Sequence, residues 1–240
     1  MDGDTWYCLY RYRRYACIKK FLGLKIGAKK MLRIKEIDII EEKSELLYHA
    51  HFTQELLERD FEIAGGEWTA KDGVLVGFME EDGGGLIYSH KSFEGDILLD
   101  FYGKTVAPYE NDLNFTFCAN GWNYEKGEPY DGYVGGMQGW WIGKTGIEKY
   151  PLDSNVEALT GMHRFDPNKE YHIQTGRVGK RLFLFIDGEL AVELLDNNPL
   201  IKYGRVGLGV YASKIQFRDL KVYRPYTKPF RTSYEEMRKE

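Results

Sequence analysis

Residues 169–224 read KEYHIQTGRVGKRLFLFIDGELAVELLDNNPLIKYGRVGLGVYASKIQFRDLKVYR, and their turn chemistry decides the fold. Tyr171, Ile173 and Thr175 alternate with polar residues, as in a strand with one buried face. Gly176–Lys180 turn the chain, and RLFLFID (181–187) then runs into Asp187-Gly188. An Asp-Gly pair between two apolar runs is a strong hairpin signal, because the tightest hairpin turns need positive φ at both central residues. ELAVEL (189–194) follows, then an Asp/Asn/Pro loop, then GRVGLGVYA (204–212) and IQFRDLKVY (215–223). Short strands at near-regular spacing with Gly-rich turns predict an all-β antiparallel sandwich or barrel.

The pattern extends toward the N-terminus. MLRIKEIDII (31–40) alternates, ELLYHAHF (45–52) reads as a strand or its start, and FTQELLERDFEI (52–63) as a short helical turn or an irregular link. A Lys71-Asp72-Gly73 turn leads into a strand, and residues 85–106 give two strands around Phe93-Glu94-Gly95. LNFTFCA (113–119) sets Phe115 and Phe117 on the face opposite Asn114 and Thr116. Residues 119–168 are the longest stretch of weak periodicity, and their many aromatics predict a functional loop region rather than disorder.

Bulk composition narrows the function. A net charge of −4 makes no case for nucleic acid. No apolar run approaches the roughly 20 residues that cross a membrane. Three cysteines, Cys8, Cys17 and Cys118, show no metal-like pairing, so free thiols in a reducing, cytoplasmic setting are expected. The first 35 residues hold ten Lys/Arg against two acids, +8, which leaves −12 on the rest. This stretch is either a basic arm for an anionic surface or an extension outside the fold, with translation starting at Met31. The second reading is preferred, because the turn-and-strand pattern begins only later. One sandwich domain is therefore expected over 36–225, after a basic extension (1–35) and before a polar tail (226–240).

The order "GEW…DGVL", "SFEGDILLDF", an aromatic centre, "YHIQTGRVGKRLFLFIDGELAVEL" and "GRVGLGVYASKIQFRDLKVY" resembles the concanavalin-A-like jelly rolls of the lectin, laminin-G and glucanase type. Within that group it is most similar to the YesU-like bacterial family, and its closing strands resemble those of keto-glycoside hydrolase domains. The resemblance covers residues 45–224. It implies a jelly-roll sandwich and a link to the uptake and breakdown of plant-wall polysaccharide.

The best candidate site runs from Asn120, Trp122 and Tyr124 through Tyr130 and Tyr133 to Gln138, Trp140 and Trp141. Sugars present apolar C–H faces and a rim of hydroxyls, which aromatic platforms flanked by Asn, Asp, Glu and Gln match. One of Trp140 and Trp141 should instead plug the core, since adjacent strand residues face opposite sides. If the protein is an enzyme, His163 and one carboxylate among Glu125, Glu128 and Asp131 would cleave a glycosidic bond by acid–base chemistry. Arg164 would pair with a uronate carboxylate or orient the substrate with Asn120, and His90 joins the binding residues. His172, in a strand, reads as structural.

Other motifs carry less. Glu36-Ile37-Asp38-Ile39-Ile40-Glu41 fits the E-x-D-x-x-E of family-sixteen glucanases, but it precedes the hairpin that it follows in those enzymes. His49 and His51 share a strand face without a visible third ligand, so no metal is expected. Gly83-Gly84-Gly85 lacks phosphate-loop context, and no cofactor is expected. The expected partner is an oligosaccharide, with no nucleic acid and no membrane; the oligomeric state is unknown. Two rivals to a glycan-cleaving enzyme stand, a lectin-like binding module and a structural or interaction protein.

Overall fold

The fold is organised by one strand of 20 residues, Arg205–Arg224 (β17). The computed structural model describes residues 31–138, 143–151, 156–161, 165–167, 169–202 and 204–230. The basic extension of the sequence reading therefore lies outside the described residues up to Lys30. In β17 the residues Val206, Leu208 and Val210 point into the core, and Ile215, Phe217, Leu220 and Val222 do so further along. Between the two runs Ala212 has φ +43 and the register shifts between Tyr211 and Ser213. A bulge of this kind bends a strand and raises its twist, so β17 leaves one layer of the sandwich and joins the other.

Its long partner Val74–Ser89 (β6) follows the same path, pairing Tyr88–Gly84 with the first half of β17 and Met79–Val74 with the second. In the front sheet, the first half of β17 lies between β6 and Leu113–Ala119 (β8), followed by Gly132–Met137 (β11), Lys144–Tyr150 (β12) and Glu157–Gly161 (β13). Phe61–Ile63 (β4) pairs β6 at the opposite edge. In the back sheet, the second half of β17 pairs Ile97–Thr105 (β7), and Tyr171–Val178 (β14), Arg181–Ile186 (β15) and Glu189–Leu195 (β16) follow. Glu45–Ala50 (β3) and Glu67–Lys71 (β5) complete that layer against β17 and β6. All pairings are antiparallel, and the chain is an all-β jelly-roll sandwich, as its sequence predicts.

The core lies between the layers. Phe101 of β7 packs edge-on against Phe115 of β8, ring centroids 6.0 Å apart, and also contacts Phe217. The turns obey the sequence: Asp187 and Gly188, like Asp72 and Gly73, all have positive φ. The FTQELLERDFEI segment contains one short helix, Gln54–Asp60 (α1), capped by Thr53, whose hydroxyl accepts from the Leu56 N–H. No helix among the described residues is long and apolar enough to cross a membrane.

Two expectations change. Residues 119–168 contain three strands of the front sheet, β11, β12 and β13. Glycines at 132, 135, 136 and 146 remove the side chains whose alternation would have marked them. The paired structure also extends past both ends of the expected 36–225 span. Met31–Ile34 (β1), Ile37–Ile40 (β2) and Thr227–Pro229 (β18) form a separate three-stranded clasp. Its Leu32, Ile34 and Ile39 cover Leu98, Val178, Phe183 and Phe185 on the outside of the back sheet.

Inside the sandwich, Lys149 Nζ lies 2.9 Å from Asp196 Oδ2 and donates to the Asn198 carbonyl at 2.6 Å. The Tyr133 hydroxyl donates to Asp196 at 2.7 Å and accepts from the Leu200 N–H at 2.9 Å. Burial would raise the Asp196 carboxyl, but the hydrogen bonds from Lys149 and Tyr133 outweigh it and hold it below the usual range. This network ties the 196–200 loop to β11 and β12. Tyr133→Phe, which removes one buried partner, should cost about 1–3 kcal/mol. Lys149→Met, which leaves a buried carboxylate without its cation, should cost about 3–5 kcal/mol. Urea unfolding that ranks the two in the opposite order would contradict this account.

Candidate functional site

Directly opposed residues of an antiparallel sheet share a face, so strand register maps the outside of the front sheet. One row reads Leu86, Gly209, Asn114, Gly136, Gly146 and Leu159 across six strands. Asn114 is the single polar side chain in it, and glycines flank it on both sides. A Cβ on Gly136 would come within 2.1 Å of Asn114 Oδ1, and one on Gly209 within 2.6 Å of Leu86 Cδ2. The glycines thus let the Asn114 amide lie flat along the sheet, and they make a low floor.

The next row reads Tyr88, Gly207, Thr116, Val134, Glu148 and Glu157. It brings two carboxylates face to face on adjacent strands, Glu148 buried and Glu157 exposed. Tyr150, two residues on from Glu148 and so on the same face, hydrogen-bonds to the Glu148 carboxylate. Burial first, and then that carboxylate, push its phenol far up. Tyr88 is fully buried, and its hydroxyl has no hydrogen-bond partner among the described residues.

A two-stranded hairpin, Trp122–Asn123 (β9) with Glu128–Pro129 (β10), forms the wall above the floor. Asn123 Oδ1 accepts from the Glu125 and Lys126 N–H groups and fixes the turn. Trp122 packs on Ala64, Leu86, Tyr88 and Ala119, and a Cβ on Gly84 would lie 3.2 Å from its indole. Together these elements enclose a trough of about 240 Å³, floored by Gly84, Leu86, Gly209 and Asn114 and walled by Trp122, Glu128, Pro129, Tyr150 and Tyr211. Behind the floor, Asn114 Nδ2 donates to Asp112 Oδ1 at 2.7 Å. Asp112 is wholly buried, its Oδ2 has no partner among the described residues, and its backbone has φ +75. Burial pushes its carboxyl up to about 8, against the opposing hydrogen bonds from Asn114 and the Tyr211 N–H.

Of the residues expected at the site, Trp122 and Glu128 line the trough. Tyr124 and Tyr130 project outward, 66% and 51% exposed, with the Tyr124 hydroxyl donating to Glu62. Glu125 is exposed on the hairpin turn, and Asn120 is exposed beside it. Asp131 lines a different depression, with Asn198–Lys202, and so is not gathered with Glu128. The Gln138 side chain accepts from the Gly143 N–H and closes the β11–β12 turn. His90 is exposed beyond the end of β6, its N–H donating to the Asp60 carbonyl. Tyr133 corrects the expectation most directly: it faces the core, with no exposed surface, because its position opposite Phe117 is an inward one. Trp140, Trp141, His163 and Arg164 lie outside the described residues.

The remaining motifs sit elsewhere. Asp38 is buried in the clasp and takes a bond from Arg33 Nε at 2.7 Å, so the E-x-D-x-x-E segment stands on the back sheet, away from the trough. His172 bonds Asp100 at 2.9 Å and stacks on Tyr102. His49 bonds Asp219 at 2.6 Å. Among the described residues, no three His, Cys, Asp or Glu side chains are grouped to hold a metal ion. Asp112, Asn114, Glu148, Tyr150 and Tyr211 were not anticipated. Their signal lay in glycines spaced two apart, as at Gly207 and Gly209, which mark a strand face kept bare.

No protein-family profile matches the chain, and no characterised protein matches it in sequence. Solved structures do match in shape. A galectin-like protein of unknown function from Bacillus subtilis is 14% identical, with a TM-score of 0.59 over 75% of this chain and 96% of that one. The carbohydrate-binding module CBM66 from Bacillus subtilis is 17% identical, with a TM-score of 0.54 over 72% and 96%. A Bacillus licheniformis β-glucanase is 12% identical, with a TM-score of 0.51 over 75% and 98%. At these identities the likeness is one of fold, that of the galectin-like and concanavalin-A-like jelly rolls.

The buried acid sets a pH dependence. Below about pH 4 Asp112 is protonated whether the chain is folded or not. Between its ordinary value of 3.8 and about 8, the unfolded chain gives up a proton that the folded chain keeps. Stability should therefore fall as pH rises through that window, by up to about 1.4 kcal/mol per unit. Asp112→Asn is neutral in both states and tolerates the left-handed backbone. Its stability advantage over the unaltered protein should grow from pH 4 to pH 8 in chemical denaturation. Parallel curves would mean that Asp112 is ionised in the folded state.

Proposed function

We propose that the protein binds a short, plant-polysaccharide-derived oligosaccharide in the trough on the front sheet, as a carbohydrate-binding protein of the YesU-like kind acting inside the cell. The observation that carries this reading is the trough itself. An indole and two phenols stand over a floor of glycines along which one buried amide lies. Aromatic faces pack on the C–H faces of a pyranose, and the amide supplies a donor and an acceptor for its hydroxyls. The bare floor lets a ring lie close to the backbone. Structurally similar proteins named as a carbohydrate-binding module and a β-glucanase support the same class of ligand.

Glycosidic-bond cleavage is the second reading, and a specific observation favours it. Glu148 and Glu157 are directly opposed on neighbouring strands, so their side chains leave one face of the sheet as a pair, and glycosidases use such a pair of carboxyl groups as acid and as nucleophile or base.

Thermal-shift titration with plant-wall oligosaccharides, followed by product analysis of each hit, separates the two. A raised melting temperature with the sugar intact supports binding alone. A rise with new reducing ends moves the assignment to cleavage, and no rise with any sugar removes both. Trp122→Ala should weaken the best hit at least about tenfold, roughly 1.4 kcal/mol, while Trp122→Phe keeps part of the affinity. Equal affinity in all three proteins would place the sugar elsewhere.

A further inference from the structure

The trough has one polar side chain in its floor, and that side chain has a direction. Asn114 lines the trough and is 2% exposed. Its Nδ2 donates to Asp112 Oδ1 at 2.7 Å, a bond buried at both ends. Its Oδ1 lies over Gly136, 2.1 Å from where a Cβ would stand there, and accepts no hydrogen bond among the described residues. The next residue of that row is Gly146, so the sheet beyond the oxygen is bare as well. An amide usually meets a ligand either way round, because a donor end and an acceptor end share nearly one shape. Asp112 removes that choice. Its Oδ1 takes the Asn114 N–H and so carries no proton; a proton on the acid sits on Oδ2, which has no partner among the described residues. Oδ1 is therefore an acceptor whether or not the acid is ionised. Turning the amide over would set two acceptor oxygens 2.7 Å apart.

We propose that Asp112 is a positioning residue that fixes the polarity of the Asn114 amide, so that the trough floor presents an acceptor and selects a sugar by a free hydroxyl over Gly136. The inference rests on the carbohydrate reading of the trough and specifies its ligand as a ring unsubstituted at that position. A free hydroxyl donates to Asn114 Oδ1 and completes it. An O-methyl or O-acyl group has no proton to give and brings bulk against a floor that admits the ring closely. It would cover the oxygen and leave it unpaired, and a site built around a hydrogen bond rejects analogues that cannot make it. Asp112 itself does not line the trough and acts only through Asn114.

The test is calorimetric titration with methyl β-cellobioside and its singly deoxygenated and singly deoxyfluorinated derivatives. Fluorine accepts weakly and cannot donate, so at one ring position the deoxy and the fluoro sugar should both bind at least about tenfold more weakly than the parent. Asp112→Asn should keep the fold, being neutral and compatible with the left-handed backbone. Its new N–H can donate to Asn114 Oδ1 and let that amide turn over. In this variant the fluoro sugar should recover severalfold over the deoxy sugar at the same position, whereas a merely structural role for Asp112 would scale all the sugars alike. The unliganded protein gives a second readout by NMR. One Asn114 side-chain N–H should exchange with solvent at least about a hundredfold more slowly than those of the exposed Asn120. Fluoro sugars that bind like the parent at every position, or unchanged ratios in Asp112→Asn, would overturn the proposal while leaving carbohydrate binding intact. Fast exchange of both Asn114 protons would overturn it without any ligand. If methyl β-cellobioside does not bind, the hydroxyl selection falls, the exchange rates still decide the polarity of the amide, and the oligosaccharide panel decides the parent reading separately.

Discussion

Everything in this fold depends on one strand being hydrogen-bonded into both layers. β17 runs through the front sheet, bends at Ala212 and continues through the back sheet, with β6 beside it throughout. No separate connection then has to set the spacing of the layers, because two covalent strands do so. The bulge supplies the bend that an unbroken ladder would resist. The inward residues on either side of it meet in one core, where Phe217 of β17 contacts Phe101 of β7.

That constraint also places the trough. The first half of β17 presents Val206, Leu208 and Val210 to the core and glycines 207 and 209 to the outside, so the strand that anchors the sandwich is also the floor of the site. A floor built on the most firmly paired strand is rigid, and a rigid floor lowers the ordering cost of binding. Several polar groups at the site are held at some expense to stability: an acid kept neutral, a hydroxyl without a partner and two carboxylates in opposition. Folded proteins tolerate such local conflict where the rest of the structure over-determines it. Here the surrounding ladder and the Lys149–Asp196–Tyr133 network do so.

The strands and turns were largely legible because their chemistry is local. Asp72-Gly73 and Asp187-Gly188 carry the positive φ that the dipeptides announce, and the alternation of 171–178 and 113–119 matches the observed faces. Legibility failed where glycine replaced one half of the alternation. VGGM and KTGIEKY have no clean period two, so three strands read as one loop. The site was legible only in part for a related reason. Trp122 and Glu128 stand in a visibly aromatic, polar stretch, whereas Asn114 and Glu148 sit singly in different strands and Asp112 lies just before the first of them. Only the register of five pairings brings their rows together. Tyr133 shows the reverse error, an aromatic in the same stretch whose parity in β11 turns it inward.

The clasp on the back sheet has a consequence of another kind. β1 and β18 both pair antiparallel with β2 and therefore run parallel to each other, one on each side of it. Strands two places apart in a sheet are separated by about 10 Å. Met31 stands opposite Ile40 and Pro229 opposite Ile37, so the two chain ends of the described fold lie within reach of a linker of a few residues. The described fold is thus close to a closed ring. A circular permutant that joins these ends and opens at the Gly179-Lys180 turn would keep every strand pairing described for both layers. Because that turn joins two strands of the back sheet and the trough lies on the front, such a permutant could be fused through its new ends without a tether crossing the trough.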